Sequence, residues 1–323
     1  MKPWVSLALV VWLASCAFDP GGNGQAIQTV FVIAMENENW SAVQGSTSAP
    51  YINGFLLDAG GYAQAYFGPD GGGVPIHPSE PNYLWLEAGT NFGILADGAP
   101  ATDHQATTLH LVTQLENAGV SWSSWQEDID GGSCPLVASG EYVPRHNPMV
   151  FFDDVTKSNS DSSPRCIEHV RPYGELAAHL AAGTAPRYNF ITPNLCHDMH
   201  GDTVLFTNNC PGSDLIAAGD SWLSTEVPKI LASSQYQHGG ALFILWDESE
   251  FALSPSCAAS LWPNCNIGLM VLSPNLKSPG YTNAIFYDHS STLKTMQEIF
   301  QVGPPLGGAA GATDLSDFFK RFP

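Results

Sequence analysis

Ser79 stands between two prolines in His77-Pro78-Ser79-Glu80-Pro81-Asn82-Tyr83-Leu84. Each proline fixes its own φ and biases the residue before it towards extended geometry. The expectation is a stiff, non-helical turn that presents the hydroxyl. The apolar run Tyr83-Leu84-Trp85-Leu86 follows and could start a helix. Such a helix would aim its free N–H groups and the positive end of its dipole back at the turn, which favours a bound anion. A serine so placed could be the nucleophile of a phosphoryl transfer. The competing reading of the same residues is an N-cap serine in a proline-rich loop.

Carboxylates, an amide and imidazoles recur after apolar runs. Glu36-Asn37 follows residues 29–35, and Asp247-Glu248-Ser249-Glu250 follows residues 241–246. Asn194-Leu195-Cys196-His197-Asp198-Met199-His200 comes shortly after residues 188–191. Paired acids beside a core are costly unless a cation or partner compensates them. Carboxylate and amide oxygens suit a hard divalent cation, and imidazoles also suit zinc or iron. Glu36, Asn37, Asp247 and Glu248 are therefore the expected metal set, holding an ion against Ser79. His146, His197, His200 and His289 are candidates for further ligands, phosphate clamps or a leaving-group acid. Hydrolysis of a phosphate ester needs these three parts: an activated oxygen, charge neutralisation and an acid. Taken singly, each motif also has a plainer reading: a solvated turn at Asp247-Glu248, a strand-ending turn at Glu36-Asn37, a surface loop at Arg145-His146. His104, His110, His169, His179 and His238 stand in unremarkable contexts.

The elements that must position these groups follow from hydrophobic pattern. Residues 29–35, 188–191, 241–246 and 267–272 are continuous apolar runs, the mark of strands buried on both faces. Helical periodicity lies between them, at 51–59, 107–118, 173–182, 220–233 and 290–300. Strands alternating with helices predict an α/β sandwich around a mostly parallel sheet. In such sheets ligands bind beyond the carboxyl ends of the strands, which is where the acids fall. Residues 97–103 and 153–165 read as loops or insertions, and no internal repeat is present.

The chain has 323 residues, 44% of them hydrophobic, enough for one large domain or at most two. Its formal charge is −20, which disfavours nucleic acid as a partner and electrostatic docking on anionic bilayers. Residues 1–15 have the parts of a secretion signal, and Leu13-Ala14-Ser15-Cys16 resembles a bacterial lipobox. The expected plan is a lipoprotein signal peptide (1–15), an acylated Cys16 with a tether (16–28), and a catalytic domain (29–323). A lipid anchor is then the only membrane attachment, and the cell envelope the expected location; an ordinary signal peptide is the alternative. Of seven cysteines, removing Cys16 leaves six, an even count that suggests disulfides in an exported protein. Neighbour pairing is expected, Cys134–Cys166, Cys196–Cys210 and Cys257–Cys265, because each pair brackets a loop-like stretch.

Six motifs occur in order: Met35-Glu36-Asn37, His77-Pro78-Ser79-Glu80-Pro81-Asn82-Tyr83, Arg145-His146-Asn147-Pro148, Ile191-Thr192-Pro193-Asn194 with Asp198-Met199-His200, Trp246-Asp247-Glu248, and Asp288-His289-Ser290. The series resembles the bacterial phosphoesterase family of secreted acid phosphatases and phospholipases C, and most of all the phosphatases described as phosphatidylinositol-3-phosphatases. The resemblance implies an alkaline-phosphatase-like α/β/α core. It implies Ser79 as nucleophile, His146 and His200 as catalytic partners, and Glu36, Asn37, Asp247 and Glu248 around a divalent metal ion. Asn37, Asp198 and His289 would bind phosphate. The substrate would be a small phosphomonoester or a phospholipid head group. Trp125 departs from the family pattern, standing where relatives often have tyrosine. Two rivals remain: a phospholipase C-type phosphodiesterase, for which Trp85, Trp125 and Phe92 could form an apolar wall, and a non-catalytic cell-surface binding protein on the same fold.

Overall fold

Strand β1 (Thr29–Met35) is buried at all seven positions and lies inside an eight-stranded sheet. The computed structural model describes residues 26–69, 76–201, 203–204, 207–208, 210–250 and 265–323. The expected signal segment, Cys16, and Cys257 of the expected Cys257–Cys265 bridge fall outside those residues. The other strands of the sheet are β2 (Gly61–Ala63), β4 (Trp122–Gln126), β5 (Val170–Pro172), β6 (Tyr188–Thr192), β9 (Gly240–Trp246), β10 (Leu269–Leu272) and β11 (Tyr281–Asn283). Outside this sheet lie β3 (Tyr66–Phe67), β7 (Thr203–Val204), β8 (Thr207–Asn208) and β12 (Tyr287–Asp288); β3 pairs with β12 and β7 with β8 in small ribbons. The sheet order is β11-β2-β10-β9-β1-β6-β4-β5.

Parallel pairing joins β9, β1, β6, β4 and β5. Strand β10 runs antiparallel to both of its neighbours, so the sheet is mixed but mostly parallel, as the alternation of elements predicts. The four apolar runs became β1, β6, β9 and β10. Helices pack in two groups: Ser79–Ala88 with Leu111–Asn117 and His289–Phe300, and Leu176–Ala182 with Leu215–Leu231. Residues 97–103 and 153–165 are not plain loops. They carry the short helices Pro100–Asp103 and Asp153–Thr156 and the start of Pro164–His169. Two of the expected disulfides are present, Cys134–Cys166 and Cys196–Cys210.

Register places the chemistry. Met35 of β1 lies opposite Trp246 of β9, and Ile33 opposite Ile191 of β6. The segments leaving those three strands therefore emerge side by side at one edge, carrying Glu36-Asn37, Asp247-Glu248 and Asp198.

Candidate active site

The helix Ser79–Ala88 begins at Ser79 itself, with Pro78 as its N-cap. This corrects the expected non-helical turn and the N-cap reading of Ser79. Pro81 is tolerated because the first-turn N–H groups have no intrahelical partner to lose. Freed from capping, the Ser79 hydroxyl donates to Glu36 Oε2 at 3.0 Å and is buried. Asn82 and Tyr83 follow at three and four residues, which puts them near Ser79 on one helix face. Asn82 Nδ2 donates to the carbonyls of Ile76 (2.9 Å) and Pro78 (3.1 Å) and to Glu248 Oε2 (2.9 Å). His77 Nδ1 lies 3.0 Å from the same Glu248 oxygen. The Tyr83 ring stacks on His146, centroids 5.2 Å apart at 7°.

Glu36, His146 and Asp198 form a buried centre. His146 Nε2 faces Glu36 Oε1 at 3.3 Å, and its Nδ1 faces Asp198 Oδ2 at 3.3 Å. Main-chain bonds set the surroundings: Asp247 N–H donates to the Met35 carbonyl (3.0 Å) and Asn37 N–H to Asp247 Oδ1 (3.2 Å). Asn37 has φ 39° and Met199 has φ 84°, left-handed values that only asparagine of the two adopts readily. Both flank the acids, at Glu36 and Asp198. His200 donates Nδ1 to the Gly201 carbonyl at 2.6 Å, its main-chain N–H reaches Asp198 Oδ1, and its ring lies edge-on to His146 at 5.7 Å. His197 is set apart, half exposed and paired with Glu127 at 2.8 Å.

His289 is bonded on both sides of its ring. Its Nε2 donates to the Asp247 carbonyl (2.5 Å) and its Nδ1 accepts from the Tyr66 hydroxyl (2.9 Å). Both nitrogens are bonded to protein, so His289 braces the Asp247 main chain. Burial pushes this imidazole down to about 4, which keeps it neutral in that role.

Burial also drives the electrostatics of the centre. It raises Glu36, Asp198, Asp247 and Glu248 well above the usual carboxylate range. Their mutual repulsion adds to it, Asp247 acting on Glu36, Glu36 on Asp198 and Glu248 on Asp247. Burial, then the charge of Arg145, pushes His146 well below its usual value. Glu36 Oε1, His146 Nε2 and Asp198 Oδ2 are buried without a hydrogen-bond partner, as are Asn37 Oδ1 and Asp247 Oδ2. Buried polar atoms are normally paired. Glu36, His146 and Asp198 offer one ligand atom each within 4.8 Å of one another. Carboxylate oxygens with a neutral imidazole suit a divalent cation, so these residues fit the expected metal. Of the expected set, Glu36 belongs to this group and Asp247 and Asn37 lie alongside it. Glu248 faces Asn82 and His77 instead.

The structure adds His77, Asn82, Tyr83, Asp97 and Arg145 to the neighbourhood of Ser79 and Glu248. Their helical spacing from Ser79 would have found Asn82 and Tyr83, had the helix been started at Ser79. Trp125 is buried and donates Nε1 to Asn189 Oδ1 at 2.9 Å, which makes it core and not a substrate wall. Phe92 meets Phe152 edge-on, and Trp85 donates to Ser290 Oγ. His110, unremarkable in sequence, is fully buried between Glu87 (2.8 Å) and Asp154 (3.0 Å).

Known proteins share this architecture. The Phosphoesterase family matches residues 64–303. A phosphatidylinositol-3-phosphatase of Mycobacterium tuberculosis is 26% identical over 319 residues, 99% of this chain and 90% of that protein. A probable acid phosphatase of Kluyveromyces lactis is 24% identical over 300 residues, 90% of this chain and 62% of that protein. Among solved structures, a Vibrio parahaemolyticus protein of the alkaline phosphatase superfamily superposes with a TM-score of 0.58 at 9% identity, covering 94% of this chain and 77% of the other. That last likeness concerns the fold alone.

Proposed function

The chain belongs to the Phosphoesterase family and is a phosphoric ester hydrolase, and from that premise we propose that it is an exported, metal-dependent phosphomonoesterase working through a phosphoserine. The observation that carries the proposal is the Ser79 hydroxyl, held on Glu36 Oε2 at 3.0 Å at the first position of a helix.

Ser79 Oγ is the nucleophile. Glu36 accepts its hydrogen bond and orients it, and the positive end of the helix dipole favours the anionic phosphoryl group beside it. Glu36, Asp198 and His146, with Asp247 and Asn37 alongside, would hold a divalent cation, which when bound supplies charge neutralisation at the phosphoryl group. His146 is kept neutral by burial and braced by the Tyr83 ring. As Ser79 Oγ bonds to phosphorus and the bond to the leaving oxygen breaks, Glu36 takes the serine proton, and His200, doubly protonated with Nδ1–H on the Gly201 carbonyl, gives its Nε2 proton to the leaving oxygen. Water then releases phosphate from Ser79. Glu248, Asn82 and His77 fix the turn before the nucleophile.

The relatives' names point to acid phosphatase and phosphoinositide chemistry, and a small phosphomonoester or a phosphorylated lipid head group is the proposed substrate. Residues 29–323 form the proposed catalytic domain, delivered by the signal segment and anchored through Cys16. The two disulfides suit an oxidising compartment, and no helix among the described residues is long and apolar enough to cross a membrane.

The test is Ser79→Ala with rapid quenching on a labelled phosphomonoester. We expect the label on the peptide holding Ser79, and a loss of kcat of about 4 kcal/mol or more in barrier with metal content and circular dichroism unchanged. Near wild-type turnover in Ser79→Ala would overturn the mechanism.

A further inference from the structure

A site with four buried carboxylates must still admit an anion, and the fixed positive charge available to it is narrow. The chain holds 11 Lys and Arg, of which Lys2 lies outside the described residues. Arg165 is taken by Asp154 and Glu116, Arg171 by Glu175, Lys229 by Glu226 and Lys277 by Asp317. Arg187 lies over the Phe300 ring, Lys294 donates to the Ala312 carbonyl, and Lys157, Lys320 and Arg321 are not among the charges acting on the four carboxylates. Arg145 differs from all of these: its charge bears on Glu36, Asp198 and Glu248, lowering each against the burial that raises it.

Geometry explains how that charge is held. Arg145 precedes His146 in the turn Pro144–His146. Its Nε faces Asp97 Oδ2 at 3.3 Å, with the side chain 24% exposed. The other Asp97 oxygen, Oδ1, accepts the main-chain N–H of Glu80 at 3.0 Å, one residue after Ser79. Asp97 thus pairs the guanidinium's charge with the first turn of the nucleophile's helix. Among the described residues neither Nη group of Arg145 donates to a protein acceptor within hydrogen-bond distance. Nε lies at ion-pair distance from Asp97 without a hydrogen bond, and the two Nη groups remain for a ligand.

We propose that Arg145 reads the second negative charge of a terminal phosphate, its Nη groups pairing with two non-bridging oxygens of a phosphomonoester dianion. Arg145 is then the residue that sets preference for monoesters over diesters. A diester carries one charge less and replaces one non-bridging oxygen with an alkylated one, so the fork meets a weaker acceptor. The inference rests on the phosphomonoesterase reading above and adds a specificity determinant to it.

The experiment compares wild type, Arg145→Met and Arg145→Lys on p-nitrophenyl phosphate and bis(p-nitrophenyl) phosphate, with inorganic phosphate binding measured by calorimetry. In Arg145→Met, kcat/KM for the monoester should fall about 100-fold, that for the diester about threefold or less, and phosphate binding should weaken about 10-fold. Arg145→Lys should recover part of the monoester rate, since it restores charge without the fork. Equal losses on both esters, or unchanged phosphate binding, would overturn the proposal. Should Arg145→Met fail to fold by circular dichroism, Asp97→Asn serves instead, and a monoester KM that does not rise would count against it. A wild-type protein that binds phosphate through Arg145 yet cleaves neither ester would sink the phosphomonoesterase reading while leaving the Arg145 contact standing. A wild type that cleaves the monoester with Arg145→Met equally active would do the reverse.

Discussion

The main-chain N–H of Glu36 donates to the carbonyl of Asp198 at 2.8 Å. The segments leaving β1 and β6 are thereby joined at the point where each delivers its acid. The two carboxylates are crowded by the backbone, and no side-chain rotation separates their origins. Burying like charges together costs stability unless a cation compensates them.

That crowding predicts how metal removal behaves. A cation supplied at about 100 times its Kd should stabilise the fold by about 2.7 kcal/mol, so a chelator should lower Tm. Asp198→Asn removes one of the repelling acids. The chelated variant should melt higher than the chelated wild type, and the gain on adding metal should shrink. Differential scanning fluorimetry with and without chelator decides it. An Asp198→Asn protein that responds to metal as the wild type does would remove Asp198 from the cation site.

How much of this was readable in the sequence depends on whether a residue's surroundings are local. Strands β1 and β9 announce themselves because every position is apolar and buried. Strand β4 does not, since Ser123, Ser124 and Gln126 look like surface. They are buried all the same, Ser124 on Asn147 and Gln126 on Thr192, partners that only the tertiary fold supplies. The acids after β1 and β9 could be placed at one edge because strand direction alone puts them there. The part of Glu248 could not, because it depends on Asn82 and His77 arriving from a helix whose start two prolines disguise. Arg145 is more remote still, since its setting requires Asp97 from a separate loop.

The Cys196–Cys210 bridge spans 14 residues of sequence and encloses Asp198, Met199 and His200. A loop of that size closed by a disulfide is worth roughly 3 kcal/mol in the chain-entropy model. The double variant Cys196→Ser with Cys210→Ser should lose about that much in denaturant unfolding. It should lose activity at temperatures where the fold persists, because Met199 is held at a left-handed φ between two site residues. Full activity in a folded double variant would show that the bridge is not needed to hold this segment.

His110 supplies a pH dependence outside the centre. Burial alone would lower this imidazole, but hydrogen bonds and charge from Asp154 and Glu87 outweigh it, and the net shift is upward from 6.5. A raised folded-state value means stability fully present below the unfolded value and lost as pH rises through the folded one. The groups facing His110 are Glu87 from the Ser79 helix, Asp154, and the Thr113 hydroxyl, with Arg165 on the far side of Asp154. Glu87 is itself raised, burial first, and Asp154 is lowered by the hydrogen bonds and charge of His110 against its burial. His110→Leu should cost on the order of 3 kcal/mol, since both acids lose their buried partner. It should also flatten the fall of Tm with pH above about 6.5. An unchanged Tm–pH profile in a folded variant would sink this account.

Asp247 and Glu248 are adjacent in sequence and were both expected to bind metal, yet the fold gives them different neighbours. Asp247 Oδ1 accepts the Asn37 N–H while Oδ2 is buried without a partner beside the Glu36 centre. Glu248 Oε2 receives Asn82 Nδ2 and faces His77 Nδ1, the two residues that fix the turn before Ser79. Substituting one at a time should therefore separate two roles. Asp247→Asn should lower metal content by elemental analysis and reduce kcat by about 100-fold or more, the size expected when a charge at the reacting centre is lost. Glu248→Gln keeps the shape and one acceptor oxygen, so metal content should stay near wild type while kcat falls about 10-fold through a loosened nucleophile turn. Its metal titration should overlay that of the wild type. If Glu248→Gln instead loses metal as severely as Asp247→Asn, both acids are ligands, and the separation argued from Asn82 and His77 fails.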